Sequence, residues 1–231
     1  MKKIAVFASG AGSNGAKIIE HFTSPPTPLH GVERGEKISP PELRSQPSYN
    51  SVALHSVEKG EWKTPDIQVA LIVCNRPRAG VLKIAAAKKV PVLLIEKERF
   101  FHGDAYLMEL EEIGIDYIVL AGFLWKIPVA LIKAFPDRII NIHPALLPKY
   151  GGKGMYGHYV HEAVIKNHEK ESGITIHFVD EVYDHGKIIF QATCPVLEND
   201  TASQLALRIA VLEHQHYPTV IEQVISDIDP L

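Results

Sequence analysis

Apolar and polar positions follow two rhythms along this chain. Short, nearly continuous apolar runs occur at 3–8, 68–73, 90–95, 116–120 and 139–143. Runs of that length, bounded by turn residues, predict strands buried on both faces. Between them lie stretches with helical spacing: one through Ile18, Ile19 and Phe22, then 79–88, 105–112 and 128–135. This alternation predicts an α/β protein with a mostly parallel sheet and right-handed crossovers. After residue 150 the rhythm changes. A helix is predicted at 159–166, two strands at 173–179 and 187–196 joined by a short loop, and a final helix from about 202 to 225. The two late strands read as an antiparallel extension of the same sheet, so the chain is expected to form one domain over 1–231.

Residues 23–65 break the pattern. They hold seven prolines, many Ser, Glu and Lys residues and little periodicity, where a short helix-to-strand connection would suffice. Uninterrupted irregular loops of that length are uncommon in compact domains. The stretch is read as an irregular insertion with short strands around Val52-Ala53-Leu54 and Val57, dispensable for turnover.

Composition narrows the function classes. With 231 residues, 46% hydrophobic and 22% charged, the chain reads as an ordinary globular protein with a substantial core. A net charge of −3 and the lack of any Lys/Arg-rich run imply no nucleic-acid partner. No window approaches membrane-spanning length. Cys74 and Cys194 are far apart and form no CxxC, which fits a reducing cytoplasm and gives no zinc framework. The histidine pairs His158/His161 and His214/His216 lack nearby cysteines or a HExxH pattern, so they are expected at the surface or along a pocket, with no metal bound.

The chemistry gathers at a few turns. In Asn141-Ile142-His143-Pro144 the proline ends a strand, because it has no N–H for the ladder. Strand side chains alternate with period 2, so Asn141 and His143 point the same way at the strand's carboxyl end, where α/β sheets bind ligands. An amide donor beside an imidazole suits oxyanion binding and proton transfer. Ser9-Gly10-Ala11-Gly12-Ser13-Asn14 is a Gly-rich turn feeding a helix, which suits a phosphate equally with a plain capped turn. Its spacing is not GxGxxG and no acidic residue ends the second strand, which argues against NAD. The loop Asp180-Glu181-Val182-Tyr183-Asp184-His185-Gly186 joins the late strands, and a carboxylate from it near His143 would raise the imidazole pKa. After the fourth strand, Gly122-Phe123-Leu124-Trp125-Lys126-Ile127 suits either a groove for a flat ring system or ordinary packing.

Together these segments resemble the folate-dependent formyltransferases. The segments are Ser9-Gly10-Ala11-Gly12-Ser13-Asn14, Ala121-Gly122-Phe123, the run from Asn141 through Pro144 to Tyr150, Gly173-Ile174-Thr175-Ile176-His177-Phe178-Val179, Asp184-His185-Gly186 and Glu213-His214. Within the superfamily the likeness is to the branch that formylates 5-phosphoribosylglycinamide in de novo purine biosynthesis. The resemblance implies the formyltransferase fold, a Rossmann-like sheet, with 10-formyltetrahydrofolate as formyl-donating cosubstrate. It implies His143 as proton donor, Asn141 as oxyanion donor and Asp184 as the group that holds His143 charged. Gly12, Ser13 and Asn14 would hold the substrate phosphate and Glu213 would contact the glycinamide substrate. Leu124, Trp125, Lys126 and Ile127, with Asn141 and the loop residues Asp180, Glu181, Val182, Tyr183 and Asp184, would hold the folate. Monomer and homodimer both remain open.

The chain departs from the family in three places besides the insertion. Residues 150–161 form a longer connection, whose Gly-Gly-Lys-Gly-Met-Tyr-Gly run reads as a mobile lid. Trp125-Lys126 stands where relatives often carry an Arg, and residues 102–105 align poorly with the segment that supplies a folate-tail Arg. Methionyl-tRNA formyltransferase normally adds a C-terminal RNA-binding domain, and 10-formyltetrahydrofolate hydrolase an N-terminal regulatory one; the chain's length disfavours both. A non-catalytic phosphate-binding α/β protein is the alternative from another class, and the joint presence of Asn141, His143 and Asp184 argues against it.

Overall fold

The computed structural model describes residues 1–23 and 66–228. The expected insertion and its short strands lie outside the described residues. The parallel strands are β1 (Lys2–Ala8), β2 (Ile67–Cys74), β3 (Val92–Leu94), β4 (Tyr117–Leu120) and β5 (Ile139–His143), followed by antiparallel β6 (Glu171–Phe178) and β7 (Ile188–Pro195). They form one seven-stranded sheet in the order β3-β2-β1-β4-β5-β6-β7. The late strands thus extend the sheet antiparallel, as their apolar pattern predicts.

Seven helices cover the sheet among the described residues: α1 (Ser13–Thr23), α2 (Gly80–Lys88), α3 (Lys97–His102), α4 (Leu107–Ile113), α5 (Val129–Ala134), α6 (His158–Lys166) and α7 (Ala202–Ile228). Period-2 alternation divides the core into two layers. Ile4, Val6 and Ala8 of β1 pack on one face with Ile18 of α1, Val81 of α2, Val164 of α6 and Ile209 of α7. Ala5 and Phe7 pack on the other with Phe100 of α3, Leu110 of α4 and Leu131 of α5. In β2 the alternation slips: Ile4 pairs with Val69 and Ala5 with Leu71, so Ala70 is an extra residue that changes the strand's phase. The sequence reading misses α3, whose Lys-Glu-Arg-Phe-Phe-His run is too short to show a helical period.

The order places β1 between β2 and β4, so the chain reverses its winding there. That reversal opens a crevice beyond the strands' carboxyl ends. Tyr217 of α7, fully buried, supports it from beneath: its hydroxyl reaches the Leu120 carbonyl of β4 at 2.9 Å and the Ile140 carbonyl of β5 at 3.1 Å. Burial pushes the Tyr217 phenol well above its ordinary pKa, so it remains a donor. Gly12 closes the turn after β1 at φ +85°. A Cβ there would lie 2.7 Å from the Val81 Cα, so only glycine lets the turn rest against α2.

Candidate active site

A cleft of about 640 Å³ opens at this crevice. Most of its lining comes from the ends of strands. Gly10 follows β1, the segment from Gly122 to Ile127 follows β4, and Asn141 and His143 end β5. The loop after β6 contributes Asp180, Val182, Tyr183 and Asp184, and α7 contributes Ala206, Ile209 and Glu213.

The strand-end pair is held by specific partners. Asn141 sits opposite His177 across the antiparallel β5–β6 ladder, and His143 opposite Thr175. Directly opposed residues share a face. The His177 Nδ1 lies 2.7 Å from the Phe178 carbonyl, which can only accept, so Nδ1 carries the proton. His177 Nε2 is then the acceptor for the Asn141 amide at 3.0 Å. That bond fixes the amide's orientation and leaves its second N–H unused by His177. Burial lowers the His177 pKa, in keeping with the neutral tautomer.

His143 is 4% exposed. Its Nε2–H donates to the Tyr150 carbonyl at 2.8 Å, and its Nδ1 lies 3.5 Å from Asp184 Oδ2. Asp184 also accepts the Gly152 N–H at 2.9 Å, and its other oxygen lies 3.8 Å from His177 Nε2. Burial lowers the His143 pKa, while Asp184 and the Tyr150 carbonyl pull it up. Burial wins. The expected upward influence of Asp184 is present, but the net direction is the reverse of the one expected from sequence: the resting imidazole is neutral. Tyr150 and Asp184, the two residues that touch it, both adopt positive φ, at 57° and 53°. Such conformations cost non-glycine residues energy and persist where surroundings enforce them.

At the opposite end, Asn14 opens α1 and its Nδ2 donates to Glu213 of α7 at 3.0 Å, while its buried Oδ1 has no partner. Burial raises the Glu213 pKa and the Asn14 bond lowers it, with a net rise. Gly12 and Ser13 stand just outside the cleft lining. Ser13 and Asn14 begin α1, where the N–H groups lack intrahelical acceptors and the dipole favours an anion.

The groove wall after β4 is braced from both sides. The Ser9 hydroxyl accepts the Leu124 N–H at 3.0 Å, and Trp125 packs on Phe100 and Phe101 of α3 with ring centroids 5.6 and 5.5 Å away. Lys126 reaches across to the Tyr183 ring, 5.7 Å from its centroid. Asp180 is occupied within its own loop by the Val182 N–H and by His185. Glu181 is exposed and lies outside the lining.

The sequence reading does not assign His177, Tyr150 or His161 to the site. His177 could have been found from the period of β6, two residues beyond Thr175 and antiparallel to the Asn141 strand. Tyr150 acts through its carbonyl, which no residue type announces. His161 of α6 is 5% exposed, lines the cleft and has an unpartnered Nδ1; burial and the neighbouring His158 and His143 push its pKa down to about 4. Its neighbour in the sequence pair, His158, is exposed against Glu162 at 3.0 Å.

A parallel sheet that switches direction at β1, two antiparallel strands and an Asn–His–Asp constellation at the crevice define a formyltransferase-type α/β domain. A family model described as formyl transferase matches residues 44–221, and the chain belongs to that family. The chain is 37% identical to the chloroplastic phosphoribosylglycinamide formyltransferase of Arabidopsis thaliana over 98% of its own length, and spans 66% of that relative, just under two thirds. It is 32% identical to the phosphoribosylglycinamide formyltransferase of Bacillus subtilis (strain 168), covering 98% of this chain and 96% of the relative. The crystal structure of the phosphoribosylglycinamide formyltransferase from Bacillus halodurans superposes with a TM-score of 0.75 at 28% identity, covering 100% of this chain and 98% of that one. Among the described residues no helix is long and apolar enough to cross a membrane.

Proposed function

We propose that this protein transfers the formyl group of 10-formyltetrahydrofolate to the amine of 5-phosphoribosylglycinamide. The observation that carries this reading is the pairing of an oriented Asn141 amide with a neutral, buried His143 backed by Asp184. The substrate amine attacks the formyl carbon, and charge develops on the formyl oxygen. The Asn141 N–H left free by His177 donates to that oxyanion. The new ammonium nitrogen gives a proton to the neutral imidazole at Nδ1. Asp184 stabilises the imidazolium as it forms, and the imidazolium returns the proton to the departing folate nitrogen. The proton gained and the proton lost balance, so His143 is the donor in the second half of the reaction.

The phosphate fits the Ser13–Asn14 end, by helix dipole and free N–H groups, and the glycinamide ribose side fits Glu213. The pterin fits the groove between Leu124, Trp125, Lys126 and Ile127 and the loop carrying Val182 and Tyr183. Two buried cysteines without a disulfide accord with a cytoplasmic setting. The test is an assay of the formyl donor's absorbance, with and without the ribotide amine. Amine-dependent loss that His143→Ala abolishes supports transfer. Loss without the amine supports a hydrolase instead, and no turnover in either case rejects the assignment.

A further inference from the structure

The connection 151–157 lines the cleft through residues 152–157 and carries one cation, Lys153. Among the described lining residues only Lys126 and Lys153 are Lys or Arg. Lys126 is engaged with the Tyr183 ring at the groove end. Lys153 is exposed and has no ion-pair or hydrogen-bond partner among the described residues. Nor does the cleft offer it one. Each lining carboxylate already accepts a hydrogen bond: Asp180 from His185 and the Val182 N–H, Asp184 from the Gly152 N–H, and Glu213 from Asn14. A free lysine in a cleft whose carboxylates are all engaged is left to pair with an anion that arrives.

The α1 end needs such a cation. A phosphate monoester carries about −1.5 to −2 charges near neutral pH. A helix N-terminus offers the equivalent of roughly +0.5. The first turn of α1, Ser13-Asn14-Gly15-Ala16, adds no basic side chain, and the nearby Glu213 carboxyl adds no positive charge. The charge deficit therefore lies at the phosphate end, and the uncommitted cation is Lys153. It lines the same cleft as Asn14. It follows Gly152, whose N–H holds Asp184, so it leaves from beside the catalytic pair. Gly152 and Gly154 flank it at φ +92° and +91°, with nothing within 4 Å of where a Cβ would stand.

We infer that Lys153 is a substrate-binding residue that pairs with the phosphate of the amine substrate, completing from above a site that α1 supplies from below. This rests on the function proposed above. The test is calorimetric titration of wild type, Lys153→Met and Lys153→Arg with 5-phosphoribosylglycinamide and with its dephosphorylated counterpart. A lost charge-assisted bond predicts that Lys153→Met weakens ribotide binding about 10- to 100-fold. Lys153→Arg restores it to within about 3-fold, and the penalty vanishes for the dephosphorylated compound, because only the phosphate is read. KM for the formyl donor stays unchanged. Ribotide binding that ignores Lys153→Met overturns the inference while leaving the function standing. So does an equal penalty without the phosphate, or a penalty that moves to the formyl donor, where Lys153 would be reading the folate tail. If wild type binds no ribotide, the proposed function falls and this inference falls with it.

Discussion

Strands β4 and β5 bring to the cleft the residues at their carboxyl ends, whereas β6 reaches it through His177, which faces Asn141 across the antiparallel ladder. The parallel strands present chain termini: the Ser9–Asn14 turn, the Gly122–Ile127 wall, Asn141 and His143. The antiparallel pair presents the partners that orient those groups: His177 on the Asn141 amide, Thr175 on the backbone after His143, and Asp184 from the loop that follows. On the proposed function, one half of the sheet supplies reacting groups and the other determines their tautomer, direction and charge. Substitutions in the two halves should therefore differ in kind as well as in size.

The largest effect is expected at the end of β5. His143→Ala removes the proton carrier and should lower kcat by about 10³-fold, within the usual span for general acid–base groups. Asn141→Ala removes one oxyanion donor and should cost about 10²–10³-fold in kcat with a smaller change in KM. Steady-state rates with both substrates saturating decide this. An Asn141→Ala enzyme within a few-fold of wild type would remove the amide from the reaction.

The antiparallel half should act by tuning. Asp184 raises the His143 pKa against the dominant effect of burial. Because the net value lies below the ordinary imidazole pKa of about 6.5, His143 is neutral above that limb. The kcat/KM profile should rise with pH through a pKa below 6.5 and then level off. Asp184→Asn deletes an upward influence, so the acid limb should move to lower pH while the plateau falls about 10²-fold. An acid limb that moves upward would contradict this account of the pair. His177→Leu leaves Asn141 in place but unoriented, and should cost about 10-fold in kcat, the equivalent of one ordinary hydrogen bond. If it costs as much as Asn141→Ala, then His177 does more than aim the amide.

This division also explains what was legible in the sequence. Asn141 and His143 were readable because a strand ended by Pro144 shows its own period, and α/β sheets bind ligands at such ends. The mostly parallel sheet and its antiparallel extension followed from where apolar runs and helical spacing alternate; the strand order did not. The sign of the His143 shift was not readable, because it depends on burial by residues distant in the chain. Tyr150 acts through a carbonyl, and α3, which braces Trp125 through Phe100 and Phe101, is too short to show a period. The resemblance places Glu181 with Asp180 and Val182 in the folate-holding loop; the turn made by the Asp180 carboxylate and the Val182 N–H leaves its side chain exposed. Local pattern thus reports residues whose role follows from their own strand, and is silent where the role depends on a partner.

The smallest effect bears hardest on the comparison, since it lies farthest from the reacting groups. Gln191 on β7 donates to the Leu147 carbonyl at 3.1 Å and to the Thr175 hydroxyl at 2.8 Å. That hydroxyl in turn donates to the Ala145 carbonyl at 2.7 Å and accepts the Leu147 N–H at 3.0 Å. Thr175 is fully buried, so Thr175→Val would strand the Leu147 N–H and should cost about 1–3 kcal/mol of stability. Gln191→Leu removes only the outer donor. The Thr175 hydroxyl keeps its own two bonds, so the cost should be about 0.5–1.5 kcal/mol, read as a shift of the urea midpoint at constant slope. Turnover should remain within about 3-fold, because Gln191 is separated from His143 by the whole Ala145–Leu147 backbone. A kcat loss beyond 10-fold at unchanged stability would mean that this backbone is not rigid. The antiparallel half would then be positioning His143 through the chain as well as through side chains, and the boundary between reacting and tuning strands would have to be drawn beyond β7.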